Sequence, residues 1–196
     1  MRKQTTAKVH IKGTRSLIFH AFREEVLTET KKAKTGSIGN NPEEWMDTVQ
    51  MNKDRELFVT PLNLFGHLRD SAKFTKLGRG TYKDKVAATI IFPDEVFYLK
   101  DLVVPSVEKL DRDEKKPVFL HVCSVKNPNT KGRNMRYRIA ASKGWELTYQ
   151  LIWDESIISK QVLKGIIEDG GILQGLMDGR QIGFGRYELI DFTIID

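Results

Sequence analysis

Hydrophobic and polar positions alternate with period two at both ends of the chain and again before its last quarter. Ala7-Lys8-Val9-His10-Ile11-Lys12-Gly13 sets small or apolar residues against basic ones and predicts a half-exposed strand. Trp145, Leu147, Tyr149, Leu151 and Trp153 alternate without a break and predict the clearest strand. Glu56-Leu57-Phe58-Val59 reads as a short strand, and Arg186 to Ile194 as a closing one. Residues 117–125 and 135–141 read as the two arms of a hairpin around a polar tip. The period changes to helical after Thr60-Pro61, an N-cap followed by proline at the first helical position. Leu62, Leu64, Phe65, Leu68, Ala72 and Phe74 form the apolar stripe of that helix, and Gly78-Arg79-Gly80 ends it. A second helix is predicted after Asp154-Glu155-Ser156, carrying Ile157, Ile158, Val162, Ile166 and Ile167. Val86 to Leu102 is apolar and β-branched with a break at Pro93-Asp94, so it predicts one strand, two strands, or a helix followed by a strand. Leu17 to Phe22 shows no period, and residues 28–54 read as a long polar loop.

Strand, helix, paired strands, helix, strand is the order of a ferredoxin-like βαββαβ domain of the RNA-recognition type. Such a domain is α+β, an antiparallel sheet backed by two helices. At 196 residues the chain is expected to form a single domain spanning residues 1–196, with residues 28–54 and 117–141 as insertions. No internal repeat is visible. A hydrophobic content of 40% and a charged content of 30% are those of an ordinary globular protein, and no apolar run reaches the length of a membrane span. The N-terminus has no signal-peptide core, so a cytoplasmic setting is expected. The one cysteine, Cys123, excludes an internal disulfide and, in an apolar run, reads as a buried structural thiol.

Charge then narrows the partner. The net charge of +6 fits a nucleic acid, though many basic proteins bind none. Two segments concentrate the signal. The hairpin tip and its flank supply Lys126, Lys131, Arg133, Arg136 and Arg138 with no acidic residue between them, and Tyr137 interleaves a ring. Such a finger can track phosphates while the ring stacks on a base. Residues 170–186 hold six of the chain's 15 glycines together with Arg180 and Arg186. Gly183 and Gly185 allow close approach of a polyanion there, and Arg186 has the alternative of a structural pairing. On the first helix, His67 suits either a phosphate contact or a packed imidazole, and Arg69 and Lys73 occupy the polar face. Glu43, Glu44, Asp47 and Asp54 are the carboxylates that a metal-dependent nuclease would use. No P-loop, G-x-S-x-G or H-E-x-x-H pattern is present, His10, His20, His67 and His121 lack metal-ligand spacing, and neither a catalytic residue nor a metal or cofactor is expected.

Two segments carry a resemblance. Leu57-Phe58-Val59-Thr60-Pro61-Leu62-Asn63-Leu64-Phe65-Gly66-His67-Leu68-Arg69 is similar to a strand-to-helix motif in which proline precedes a helix bearing Gly-x-x-Arg. Gly179-Arg180-Gln181-Ile182-Gly183-Phe184-Gly185-Arg186-Tyr187-Glu188-Leu189 is similar to a glycine-rich loop running into a C-terminal strand. Together they resemble the RAMP superfamily, whose repeated members form the guide-RNA-binding backbone of CRISPR effector complexes, with small relatives in phage and other mobile elements. The resemblance implies a non-catalytic subunit that grips single-stranded guide RNA and stacks head-to-tail with copies of itself beside other effector subunits in antiviral defence. Residues 117–141 would be a projecting thumb and residues 28–54 a web. A phage-type single-stranded DNA-binding protein and a metal-dependent ribonuclease are the alternatives. Thr60-Pro61-Leu62-Asn63 departs from the family's proline, glycine and small hydroxyl residue, and Gly39-Asn40-Asn41 stands where a cutting member would carry Gly-Asp.

Overall fold

The computed structural model describes residues 3–21, 42–126 and 131–195. Its frame is a five-stranded sheet in which every neighbouring pair is antiparallel. Strand β1 (Gln4–Gly13) lies inside the sheet, burying Ala7, Val9 and Ile11 on one face and pairing along both edges. On one side lies β10 (Tyr187–Ile195), and on the other β9 (Glu146–Asp154), followed by β6 (Phe97–Val103) and β3 (Glu56–Val59). Opposite β1, the register between His10 and Ile11 slips by one residue on β10, which leaves Ile190 as the extra residue, half exposed.

The alternation read from Trp145 to Trp153 is the spine of the core, all five side chains being buried. The two tryptophans also find partners for their N–H groups. Trp145 Nε1 donates to the Arg15 carbonyl at 2.8 Å and Trp153 Nε1 to the Ile158 carbonyl at 2.9 Å. Against this face pack α2 (Pro61–Ser71), α3 (Lys83–Thr89) and α4 (Lys160–Asp169), burying Leu64, Leu68, Val86, Leu163, Ile166 and Ile167. Each fully buried aliphatic side chain of this kind contributes about 1.5–3 kcal/mol.

A second sheet stands beside the first. Its order is β2 (Leu17–Ile18), β8 (Arg133–Ala141), β7 (Val118–Lys126), and the predicted hairpin is its β7–β8 pair, registered from Val118↔Ala141 to Lys126↔Arg133. Ile18, Phe119 and Ala140 form a small separate core with Phe184 packed on it. The mixed α+β composition with antiparallel sheets agrees with the sequence. Among the described residues, no helix is long and apolar enough to cross a membrane.

Several elements differ from the sequence reading. Within residues 42–54, read as loop, Glu44–Thr48 forms a short helix, α1, because Trp45 and Val49 have a core to enter; residues 28–41 lie outside the described residues. Gly78-Arg79-Gly80 does not merely stop α2 but turns a small hairpin, β4 (Lys76–Leu77) with β5 (Gly80–Thr81), and α2 itself ends at Ser71. The ambiguous stretch resolves into α3 and β6, a helix and then a strand. The second helix starts later than expected. Asp154 accepts from the Ser156 N–H at 3.0 Å in a local turn, and Ser159 is the N-cap. Cys123 is half-buried on β7 rather than enclosed.

The first helix, α2, begins as predicted. The Thr60 hydroxyl accepts from the Asn63 N–H at 3.4 Å, and Asn63 Oδ1 accepts from the Thr60 N–H at 3.1 Å, a reciprocal capping box. Thr60→Ala should therefore lower stability by about 1 kcal/mol, whereas Leu62→Ala, at a side chain 80% exposed, should change it by less than about 0.5 kcal/mol. Urea unfolding of the two variants checks this.

Candidate nucleic-acid interface

The glycine-rich segment is held by one buried imidazole. His67 on α2 is 1% exposed, with Nδ1 2.7 Å from the Gly175 carbonyl and Nε2 2.7 Å from the Tyr187 hydroxyl. Burial pushes its pKa down to about 4, so the ring is neutral near pH 7. A carbonyl only accepts, which places the single ring proton on Nδ1. Nε2 then accepts from the Tyr187 hydroxyl. The Ile167 carbonyl, 2.9 Å from that hydroxyl, is supplied by the Gly170 N–H at the end of α4. A helix, a loop and a strand are thus joined through one ring.

Beyond α4 the chain makes a π-helical turn, Gly170–Gln174, and a short 3-10 turn, Arg180–Ile182. The rest of the loop is stitched to residues 14–18. The Gly185 N–H donates to the Ser16 carbonyl at 2.8 Å, the Asp178 N–H to the Ile18 carbonyl at 3.2 Å, and the Thr14 N–H to the Arg186 carbonyl at 2.8 Å. Gly185, expected to lie against a ligand, is instead enclosed: its φ is +69°, and a Cβ there would stand 1.9 Å from the Leu176 carbonyl oxygen. Gly183, at φ +93°, faces open space.

This frame displays side chains along a run of clefts. The first, about 510 Å³, lies between the end of α2 and the loop. Lys73, Arg180 and Arg186 line it against a single carboxylate, Asp70, with Gln174 and Gln181 as amides and Phe74 as a ring. Lys73 Nζ sits 4.8 Å above the Phe74 ring. Asp70 is shared: Arg69 lies 3.0 Å from one oxygen and Arg180 3.6 Å from the other. A smaller cleft of about 210 Å³ continues past Arg180 to Asp178, Asn63 and His20.

Of the residues singled out in the sequence, Lys73, Arg180 and Arg186 come together, and Arg69 stands next to them held by Asp70. Arg186 also donates to the Ile172 carbonyl at 2.7 Å, so its structural pairing is with main chain rather than with a carboxylate. His67 is set in the interior. The hairpin cations divide into two groups. Arg136 pairs with Glu44, whose second oxygen accepts from the Tyr137 N–H at 3.2 Å, and Arg138 pairs with Asp178 at 2.5 Å. These two arginines fasten the hairpin to α1 and to the loop, while the Tyr137 ring is half-buried. Lys126, Lys131 and Arg133 are exposed at the far end, Arg133 donating to Ser124 Oγ at 3.2 Å. Residues 127–130 of the tip lie outside the described residues.

The sequence reading missed Phe74 as a cleft wall, having placed it in the apolar stripe; it is 38% exposed because α2 ends three residues earlier. Gln174, Gln181 and His20 carried no signal in the sequence. Burial, with Arg138 nearby, lowers the pKa of His20. Among the described residues, no group of three or more His, Cys, Asp or Glu is arranged to hold a metal ion, and Glu44 is taken by Arg136.

No protein-family profile and no curated protein matches the chain. Among solved structures, it is similar to a chain in the cryo-EM structure of the Type III-B Cmr-beta bound to cognate target RNA, at a TM-score of 0.53 and 15% identity. The likeness is one of fold. It covers 99% of this chain and 61% of that one, so this chain spans about three fifths of its neighbour's length.

Two outcomes follow from the loop and its anchor. Gly183→Ala should cost about 1 kcal/mol for its left-handed backbone alone, and Gly185→Ala about 3 kcal/mol or more, because main chain must move; thermal melting separates them. Between pH 6.5 and 4 the unfolded chain takes up a proton at residue 67 that the folded chain refuses. This group therefore lowers stability as pH falls through that window, by at most about 1.4 kcal/mol per pH unit. The melting temperature should fall less steeply there for His67→Gln than for the wild type.

Proposed function

We propose that this chain is a non-catalytic nucleic-acid-binding subunit of a CRISPR-type effector complex, holding a single-stranded guide RNA by its phosphates and stacking with copies of itself. One observation carries the reading: three cations, Lys73, Arg180 and Arg186, face one carboxylate across an open cleft fixed by a buried scaffold. That excess of positive charge matches a strand with one charge per nucleotide, and the Phe74 ring offers a face for a base. The fold supports the reading. The order β10-β1-β9-β6, with α2 between β1 and β6 and α4 between β9 and β10, corresponds to the 4-1-3-2 order of a βαββαβ domain, with β3 added at its edge. Likeness to a chain of an RNA-bound Cmr structure and the quoted RAMP motifs point the same way. In this reading the hairpin is a thumb, and Lys126, Lys131 and Arg133 extend the path at its far end.

Filter binding of single-stranded RNA and DNA across a salt series tests it. The wild type should bind RNA with affinity that falls linearly in log salt, and each of Lys73→Ala, Arg180→Ala and Arg186→Ala should lower the slope by about 0.7. Arg136→Ala should loosen the hairpin without that change in slope. A bound strand should stay intact with Mg²⁺. Absence of binding at low salt overturns the reading, preference for DNA moves it to the phage-type alternative, and chelator-sensitive strand loss moves it to a nuclease.

A further inference from the structure

A third cleft, about 500 Å³, opens on the other side of Arg186. Its charged groups are balanced: Arg15 and Arg186 face Glu168 and Glu188, where the neighbouring cleft sets three cations against one acid. Its apolar surfaces are Ile172, 67% exposed, and Leu189. A volume of this size is that of a small-molecule site. Both arginines are held at their main chain, since the Arg15 N–H donates to the Arg186 carbonyl at 3.2 Å and the Arg15 carbonyl accepts from Trp145 Nε1. Among the described residues, the one ion pair of Glu168 is with Lys164 at 3.8 Å on the helix surface, a weak contact, and Glu188 makes no ion pair.

Two guanidinium forks and two carboxylates around apolar surfaces make a poor seat for phosphate, because the acids repel it. They suit a flat ligand that presents paired acceptors on one edge and paired donors on another. Among the bases this is guanine. Its O6 and N7 accept from an arginine fork, and its N1–H and 2-amino group donate to a carboxylate. Cytosine lacks the donor pair, and adenine and uracil lack both pairs.

We infer that this cleft reads a guanine of the strand whose phosphates lie on Arg180 and Arg186, with Glu168 or Glu188 accepting from its donor edge and Arg15 donating to its acceptor edge. Ile172 and Leu189 cover its faces. The inference rests on the proposed strand binding and adds a base preference to it. Arg186 belongs to both clefts, so it couples the phosphate path to the base.

Fluorescence anisotropy with three labelled single-stranded RNAs tests it: an all-uridine strand, the same strand with isolated guanosines, and that strand with inosine, which lacks the 2-amino group, in place of each guanosine. The wild type should bind the guanosine strand about tenfold tighter than the uridine strand, with inosine between them. The double variant Glu168→Gln with Glu188→Gln, at exposed positions and checked by thermal melting, should lose that preference while keeping its affinity for the uridine strand. Equal binding of all three strands by the wild type, or a preference kept by the double variant, overturns the guanine site and leaves the phosphate cleft standing. Failure to bind even the uridine strand overturns the strand-binding reading itself, and the guanine site with it.

Discussion

The neutral imidazole of His67 is the constraint on which the candidate interface depends. It is buried in the interior, offers one donor and one acceptor, and finds a carbonyl and a phenol placed for each. Unpaired, either nitrogen would cost a full desolvation penalty in the interior, so the three elements it joins are fixed relative to one another. The loop after α4 is consequently a rigid shelf despite its glycines. Arg180 and Arg186 project from a surface whose position is set from beneath, and Lys73 arrives from the end of the same helix that carries the histidine.

Charge on this protein is divided between holding the fold and facing outward. Arg136 and Arg138 lie on the hairpin arm nearest the body and are matched to Glu44 and Asp178. Such pairs set the angle of the hairpin, and removing one partner would leave the other a poorly solvated charge. Farther out, Lys126, Lys131 and Arg133 are exposed, and Arg133 donates to the Ser124 hydroxyl. The same gradation runs along the clefts, from an excess of cations at Lys73, Arg180 and Arg186 to balance at Arg15, Glu168 and Glu188. Net charge alone, the quantity a sequence offers, averages over both uses.

Much of the fold was legible because its signals are local. The alternation of Trp145 to Trp153 and of Ala7 to Ile11 is set by successive side chains pointing to opposite faces. Thr60, Pro61 and Asn63 mark a helix start through contacts within three residues. The errors came where a neighbour distant in sequence decides, or where two adjacent polar groups compete to start the same helix. Residues 44–48 are polar enough to read as loop, and become a helix because Trp45 enters the core. Residues 154–156 look like a cap, but Asp154 is spent on a local turn and Ser159 does the capping.

The sequence by itself determined an α+β chain, its principal strands, the start of α2, and where along the chain its basic residues concentrate. Only the tertiary structure decided which charges are available there. Arg136 meets Glu44 across 92 residues, and His67 meets Gly175 and Tyr187 across 108 and 120. Such pairings depend on how whole elements pack, and no local period encodes them. The reason is physical: periodicity records which face of an element is buried, whereas the state of a charged group depends on what the rest of the fold brings against it.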